Sequence, residues 1–87
     1  MIKILKFSSK ECTPCIAYAS IFKSVSKDYK NIEFISYDAD EHFEMFEKYK
    51  VRSVPVTILE VDNKEVKRKI GIMSIKDLKE FIDETNK

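Results

Sequence analysis

Apolar and polar positions change their spacing from one block of the chain to the next. Residues 2–7 are apolar apart from Lys3 and Lys6, the pattern of a strand buried on at least one face. After Pro14, apolar residues recur at three- and four-residue steps: Tyr18, Ile21, Phe22, Val25 and Tyr29. That spacing predicts an amphipathic helix of about four turns. Pro14 suits its first turn, where a missing N–H costs nothing, and Asn31 closes it. Residues 32–37 form a second predicted strand, with Ile32, Phe34 and Ile35 as its apolar weight. Asp38 and Asp40 mark a loop, and Asp40 is expected to cap a second helix. In that helix Phe43, Phe46 and Tyr49 share one side as core packing. Residues 51–54 lead into Pro55, and residues 56–61 are a third strand rich in β-branched side chains. Asp62-Asn63-Lys64 reads as a hairpin turn. Residues 65–70 alternate Val66, Arg68 and Ile70 against Lys67 and Lys69, a charge pattern that suits a sheet edge. Gly71 breaks the pattern. Ser74 with Asp77 resembles a capping box ahead of a last helix whose buried stripe is Ile75, Leu78, Phe81 and Ile82.

The predicted order is β-α-β-α-β-β-α, an α/β chain. Its first half is a parallel β-α-β unit and its second half adds a hairpin. A right-handed crossover puts the first helix on one face, which leads to a four-stranded mixed sheet with helices on both faces.

Length sharpens this picture. A chain of 87 residues can bury one core, so residues 1–87 are a single domain. Sixteen basic and fifteen acidic side chains leave a net charge of +1, which argues against a dedicated nucleic-acid binder. One glycine and two prolines exclude a flexible linker or low-complexity tail. No apolar run approaches the roughly 20 residues of a membrane span. Lys3, Lys6 and Lys10 interrupt the apolar start where a secretory signal would need an unbroken run. The expected location is the cytoplasm.

The two cysteines, Cys12 and Cys15, stand three apart. A bridge closing so small a loop restricts the unfolded chain very little, so stapling explains the spacing poorly. Thiol chemistry explains it better, because the pair lies after a strand and opens a helix. Residues one helical turn apart have α-carbons about 5–6 Å apart, the separation a disulfide needs. Free N–H groups and the helix dipole favour an anion at Cys12 and lower its pKa. Cys12 precedes the helix and is expected to be exposed, whereas Cys15 lies in the first turn and is expected to be shielded. The outer sulfur can then attack a substrate disulfide, and the inner one can resolve the mixed disulfide. The rival reading is half of a zinc site. Zinc normally takes four ligands, and His42 is the one imidazole, so that reading needs a dimer bridging two chains. His42 itself reads as a surface residue. Lys64, Lys67, Arg68 and Lys69 read as a solvated edge, with docking of an acidic partner as the alternative. Most X–Pro bonds are trans, so Val54-Pro55 alone reads as a trans proline entering a strand.

Taken together, these stretches resemble the thioredoxin family. The resemblance is carried by Phe7 ahead of Cys12-Thr13-Pro14-Cys15, by Tyr49-Lys50-Val51-Arg52-Ser53-Val54-Pro55, and by Gly71-Ile72-Met73-Ser74 running into Leu78-Lys79-Glu80-Phe81-Ile82-Asp83. It implies a thioredoxin fold, a cis Val54-Pro55 bond facing the cysteines, and a shallow groove between them. It also implies that Val54 pairs its backbone with an extended substrate segment, and that Gly71 lines the groove where a side chain would obstruct the partner. Thr13 and Pro14 support the cysteine pair.

Three departures stand out. The family's Trp before the first cysteine is Glu11 here. The family's buried acid is replaced by Lys6, which either snorkels to water from the strand end or places an ammonium that favours a thiolate. Glu11 would act on Cys12 in the opposite sense. The chain also begins at the strand that leads to the cysteines, a glutaredoxin-like length. Against that rival family, residues 71–74 lack the paired glycines and acidic residues used for glutathione, and Pro14 stands beside the second cysteine.

The resulting expectation is a thiol–disulfide oxidoreductase acting on disulfide-containing proteins as a reductase and as a monomer. Cys12 attacks, Cys15 resolves, and Val54 and Pro55 present the substrate. No cofactor and no metal is needed, because the electrons travel in the cysteine pair, and an unidentified reductase restores them. The expected potential lies between about −270 and −180 mV. Oxidase or isomerase activity, and a binding module without catalysis, are the alternatives.

Overall fold

The structure, a computed structural model, describes residues 1–86. The chain runs β1 (Ile2–Ser8), α1 (Thr13–Ser26), β2 (Ile32–Asp38), α2 (Phe43–Lys48), β3 (Val56–Val61), β4 (Lys64–Ile70) and α3 (Ile75–Asp83). The sheet order is β2-β1-β3-β4. β1 pairs parallel with β2 and antiparallel with β3, and β3 pairs antiparallel with β4. This is the mixed sheet that the sequence predicts.

Alternation along the strands splits the core in two. On one face, Ile4 of β1, Ile32 of β2 and Leu59 of β3 pack with Tyr18, Phe22 and Val25 of α1 and Leu78 and Ile82 of α3. On the other, Leu5 and Phe7 of β1 and Val56 and Ile58 of β3 pack with Val51, and Met45, Phe46 and Tyr49 close over them. Helices therefore cover both faces. β4 is an edge strand, as its lysines suggested. The hairpin before it is a two-residue loop with Asp62 at φ 51° and Asn63 at φ 68°. Positive φ at both central residues matches the right-handed twist of the strands it joins. Ser74 caps α3, its hydroxyl accepting the Asp77 N–H at 3.0 Å.

Several local expectations are corrected. α1 stops at Ser26, because the N–H groups of Lys27, Asp28 and Tyr29 turn to carbonyls three residues back and tighten the chain out of the helix. Tyr29 still packs beyond the helix end, and its hydroxyl donates to Asp83 at 2.8 Å. Asp40 caps nothing. Asp38 accepts the Asp40 N–H at 2.9 Å, a turn made two residues on by a short acid. α2 instead starts after His42, which supplies no side-chain cap. This six-residue helix turns Met45 and Phe46 to the sheet and leaves Phe43 63% exposed. Ile75 is likewise 46% exposed at the first residue of α3, while Leu78 and Ile82 are buried. His42 is half-buried, not a free surface residue. Its ring lies 5.2 Å from that of Tyr37, and its Nδ1 is buried without a hydrogen-bond partner. Along β4, Lys67 pairs with Glu84 and Arg68 with Glu65. These pairings favour the solvated-edge reading over an acidic docking site.

The packed tyrosines predict a pH dependence. Burial, and then the bond to Asp83, push the Tyr29 hydroxyl from 10.0 up to about 12. Burial and the hydrogen bond to Glu60 raise Tyr49 as well. A group whose pKa is raised by folding keeps its proton while the unfolded chain loses one. This stabilising contribution is complete below pH 10 and is lost as pH rises toward 12. The urea midpoint is expected to fall over that range, and Tyr49→Phe to flatten the fall.

Candidate functional site

The site is assembled at one end of the two central strands. β1 ends at Ser8 and β3 begins at Val56, with Phe7 and Val56 paired across the ladder. The loop leaving β1 and the loop entering β3 therefore meet.

The first segment holds the cysteines. The Cys12 N–H donates to Ser9 O at 3.2 Å, which closes the loop after β1. Cys12 then takes the N-cap of α1 with extended backbone, φ −95° and ψ 107°, and Thr13 and Pro14 make the exposed first turn. Cys12 and Cys15 are joined by a disulfide, their α-carbons 5.2 Å apart. The Cys15 N–H points at Cys12 Sγ from 3.2 Å. One of the free N–H groups of the helix start thus addresses the outer sulfur, the arrangement that stabilises a thiolate when the pair is reduced. Cys15 is 3% exposed, on the buried stripe of α1. Cys12 is half-buried, less open than the sequence suggested. Glu11 is exposed beside it, its N–H donating to Ser9 Oγ.

The second segment is the loop into β3. Lys50 adopts a left-handed φ of 55°, and the Val51 N–H donates to Phe46 O at 2.9 Å. Val51 is buried and anchors the turn. The Val54-Pro55 bond is cis, which corrects the trans reading of the dipeptide alone and agrees with what the resemblance implied. The Val54 carbonyl oxygen lies 3.9 Å from Cys12 Sγ, across 42 positions of sequence.

Gly71 is the third segment. Its N–H donates to Pro55 O at 2.8 Å. Its φ of +97° is a conformation that side chains rarely adopt, and an added Cβ would meet no atom within 4 Å. The glycine is therefore required by the backbone, and the space above it is open. Thr13 and Pro14, with half-buried Cys12 and Val54, make the outer surface of the site, while Cys15 and Pro55 are buried behind it and Gly71 is bonded to Pro55.

Lys6 does not join that surface. It is 6% exposed on the α1 face of β1, opposite Thr57 of β3. Burial rather than an open path to water describes it, and burial pushes its ammonium pKa down. Its Nζ sits over the Phe22 ring, 5.3 Å from the centroid. Phe22 lies seven residues beyond Cys15, about 10 Å further along the helix. In the turn between them the Tyr18 hydroxyl and Thr57 Oγ1 share a buried hydrogen bond of 2.7 Å. The sequence reading missed this bond, because it exists only once the register of β3 against α1 is known. It also missed Ile16 and Ile72, exposed apolar neighbours of Cys15 and Gly71. Ile16 was detectable in principle, since it falls off the stripe that buries Cys15, Tyr18 and Phe22. Among the described residues no three His, Cys, Asp or Glu side chains converge as a metal site.

The arrangement can pass two electrons between its own sulfurs and a disulfide laid against Val54. Comparison with known proteins supports this chemistry. The family model described as thioredoxin matches residues 1–84. Thioredoxin H5 of rice, Oryza sativa subsp. japonica, is 37% identical over 84 residues, which cover 97% of this chain and 62% of that protein. The chain thus spans about three-fifths of the rice relative. The thioredoxin of Mycoplasmoides gallisepticum is 32% identical over 79 residues, 91% of this chain and 79% of that one. Among solved structures, oxidised thioredoxin from Plasmodium falciparum superposes with a TM-score of 0.85 at 29% identity, covering 95% of this chain and 79% of that one. Thioredoxin from Fasciola hepatica gives 0.89 at 29% identity, with the same two coverages.

Proposed function

This chain belongs to the thioredoxin family, and from that premise we propose that it is a disulfide reductase of protein substrates. The observation that carries the proposal is the position of Cys12. Its sulfur stands at the N-cap of α1, faced by the Cys15 N–H and 3.9 Å from Val54 O.

In the reduced protein, Cys12 is the thiolate. It attacks one sulfur of a substrate disulfide, forming a Cys12–substrate bond while the other substrate sulfur leaves as a thiolate and takes up a proton. Cys15, buried one turn inside, loses its proton and attacks Cys12 Sγ. The intramolecular bond seen in the structure forms, and the second substrate thiol departs. Two electrons have moved to the substrate. Pro55 and the cis bond before it hold Val54 against this chemistry, and Val54 offers its backbone to an extended segment. Gly71 leaves the groove open. Thr13 and Pro14 fill the first turn without covering Cys12. Glu11 sets the charge outside Cys12, and Lys6 serves as packing beneath the sheet with its charge on Phe22.

The proposal extends to a reducing compartment, the cytoplasm, where a reductase returns the two electrons. It needs one copy of the chain. Reduction of insulin by dithiothreitol tests it: catalytic amounts of the protein are expected to bring forward the onset of turbidity, and no acceleration over the reductant alone would refute the activity.

A further inference from the structure

We infer that the hollow around Glu60, on the α2 side of the sheet, is a binding site for a small zwitterion: an ω-amino carboxylate whose ammonium meets Glu60 and whose carboxylate meets Lys3 and Lys48. The inference stands apart from the reductase reading, because Glu60 lies toward the opposite end of β3 from Val56 and the proline loop.

The hollow exists because α2 is short. Its six residues span about 9 Å, whereas the seven residues of β1 span about 23 Å. Met45, Phe46 and Tyr49 close over Leu5 and Phe7, and toward Lys3 the face opens into a hollow of about 210 Å³. Strand register gathers its floor, since Lys3 is the cross-strand partner of Glu60 and Leu5 of Ile35. The space equals the volume of roughly seven waters, enough for a short alkyl chain. It adjoins a wider hollow of about 440 Å³, and Lys48, Tyr49, Glu60 and Asn63 line both.

The charges around it are separated and unmatched. Glu60 is 4% exposed, on a strand face whose other residues, Val56 and Ile58, are apolar. It accepts one hydrogen bond, from the neutral Tyr49 hydroxyl. A carboxylate offers about four lone-pair sites, so most of its accepting capacity is free. Among the described residues no ion pair engages Glu60, Lys3 or Lys48. The Arg68 guanidinium is committed elsewhere, to both Glu65 oxygens and to the Tyr49 carbonyl. A buried carboxylate without a cation is costly, and a ligand ammonium relieves that cost. Lys3 donates to the exposed Asn63 Oδ1 at 3.0 Å, and Lys48 is itself exposed. These two ammoniums stand on the solvent side, where a ligand carboxylate would meet them. Tyr37, Tyr49, Leu5, Ile35 and Met45 form the walls between. The aromatic rings favour a cation, and the aliphatic side chains favour methylenes.

Amide chemical-shift titration of the oxidised protein tests the inference with 6-aminohexanoate, and with hexylamine and hexanoate as its two half-ligands. Saturable binding of 6-aminohexanoate is expected with a Kd of about 1 mM or tighter, its shifts centred on Lys3, Tyr49 and Glu60. Hexylamine is expected to bind about ten-fold more weakly, and hexanoate not to saturate. Glu60→Gln, close in shape but uncharged, should weaken 6-aminohexanoate at least about ten-fold and leave insulin reduction unchanged. Lys48→Ala, at an exposed position, should bring 6-aminohexanoate close to the affinity of hexylamine, and it carries the test if Glu60→Gln does not fold. Added salt should weaken the binding. No saturation by 6-aminohexanoate, shifts centred elsewhere, or affinity that Lys48→Ala leaves unchanged overturns the inference. Either half-ligand binding as tightly as 6-aminohexanoate overturns it as well, because one charge would then suffice.

Discussion

Cys12→Ser is expected to lower insulin reduction on the order of 10³-fold or more, to the rate of dithiothreitol alone. A hydroxyl at the helix start is not ionised near neutral pH and cannot form the mixed disulfide. Cys15→Ser is expected to fail differently. Its outer sulfur keeps the N-cap and the attack, so the first bond forms and the second does not. Substrate then accumulates on Cys12 as a covalent adduct visible on a non-reducing gel, and dithiothreitol releases it. Activity retained by Cys12→Ser would remove the outer sulfur from the mechanism. An adduct that accumulates in Cys12→Ser and not in Cys15→Ser would reverse the roles of the two cysteines.

Leu59→Ala is expected to destabilise the fold by about 2–5 kcal/mol. Leu59 is fully buried on β3, beneath α1 and α3. Domains hold roughly 0.05–0.15 kcal/mol per residue, so this loss removes a large share of the stability of a chain this size. Ile75→Ala, at a residue that the helical pattern also assigns to the core, is expected to cost far less, about 0.5 kcal/mol, because Ile75 already has close to half of its surface in water. Urea midpoints of the two variants make the comparison, and equal losses would contradict the packing described here.

The contrast between Leu59 and Ile75 shows where pattern reading succeeds and stops. Periodicity located all seven elements, because each strand and helix must bury a face and records that need in its spacing. It erred at element ends. Ile75 and Phe43 continue an apolar stripe by count, but both stand at the first residue of a short helix, where the sheet no longer covers them. Asp40 has the chemistry of a cap, yet Asp38 turns the chain two residues earlier. The cysteine pair was legible because its constraint is local: two sulfurs one turn apart at a helix start. The cis bond at Pro55 was not legible in the dipeptide, since its surroundings are set by Cys12, 42 residues away in sequence. The resemblance supplied it instead. Lys6 carried the least information. Its charge argued for water or for the sulfurs, and the structure places it on Phe22, a contact fixed by the packing of β1 against α1.

The order of strands has one more consequence. β1 and β3 are the two inner strands, and the cysteine loop and the proline loop leave from their adjacent ends. Fraying begins at the margins of a sheet, and inner strands open only when the whole domain does. β2 and β4 can therefore breathe in solution without drawing the cysteine loop and the proline loop apart, whereas Gly71, which follows β4, moves with that edge.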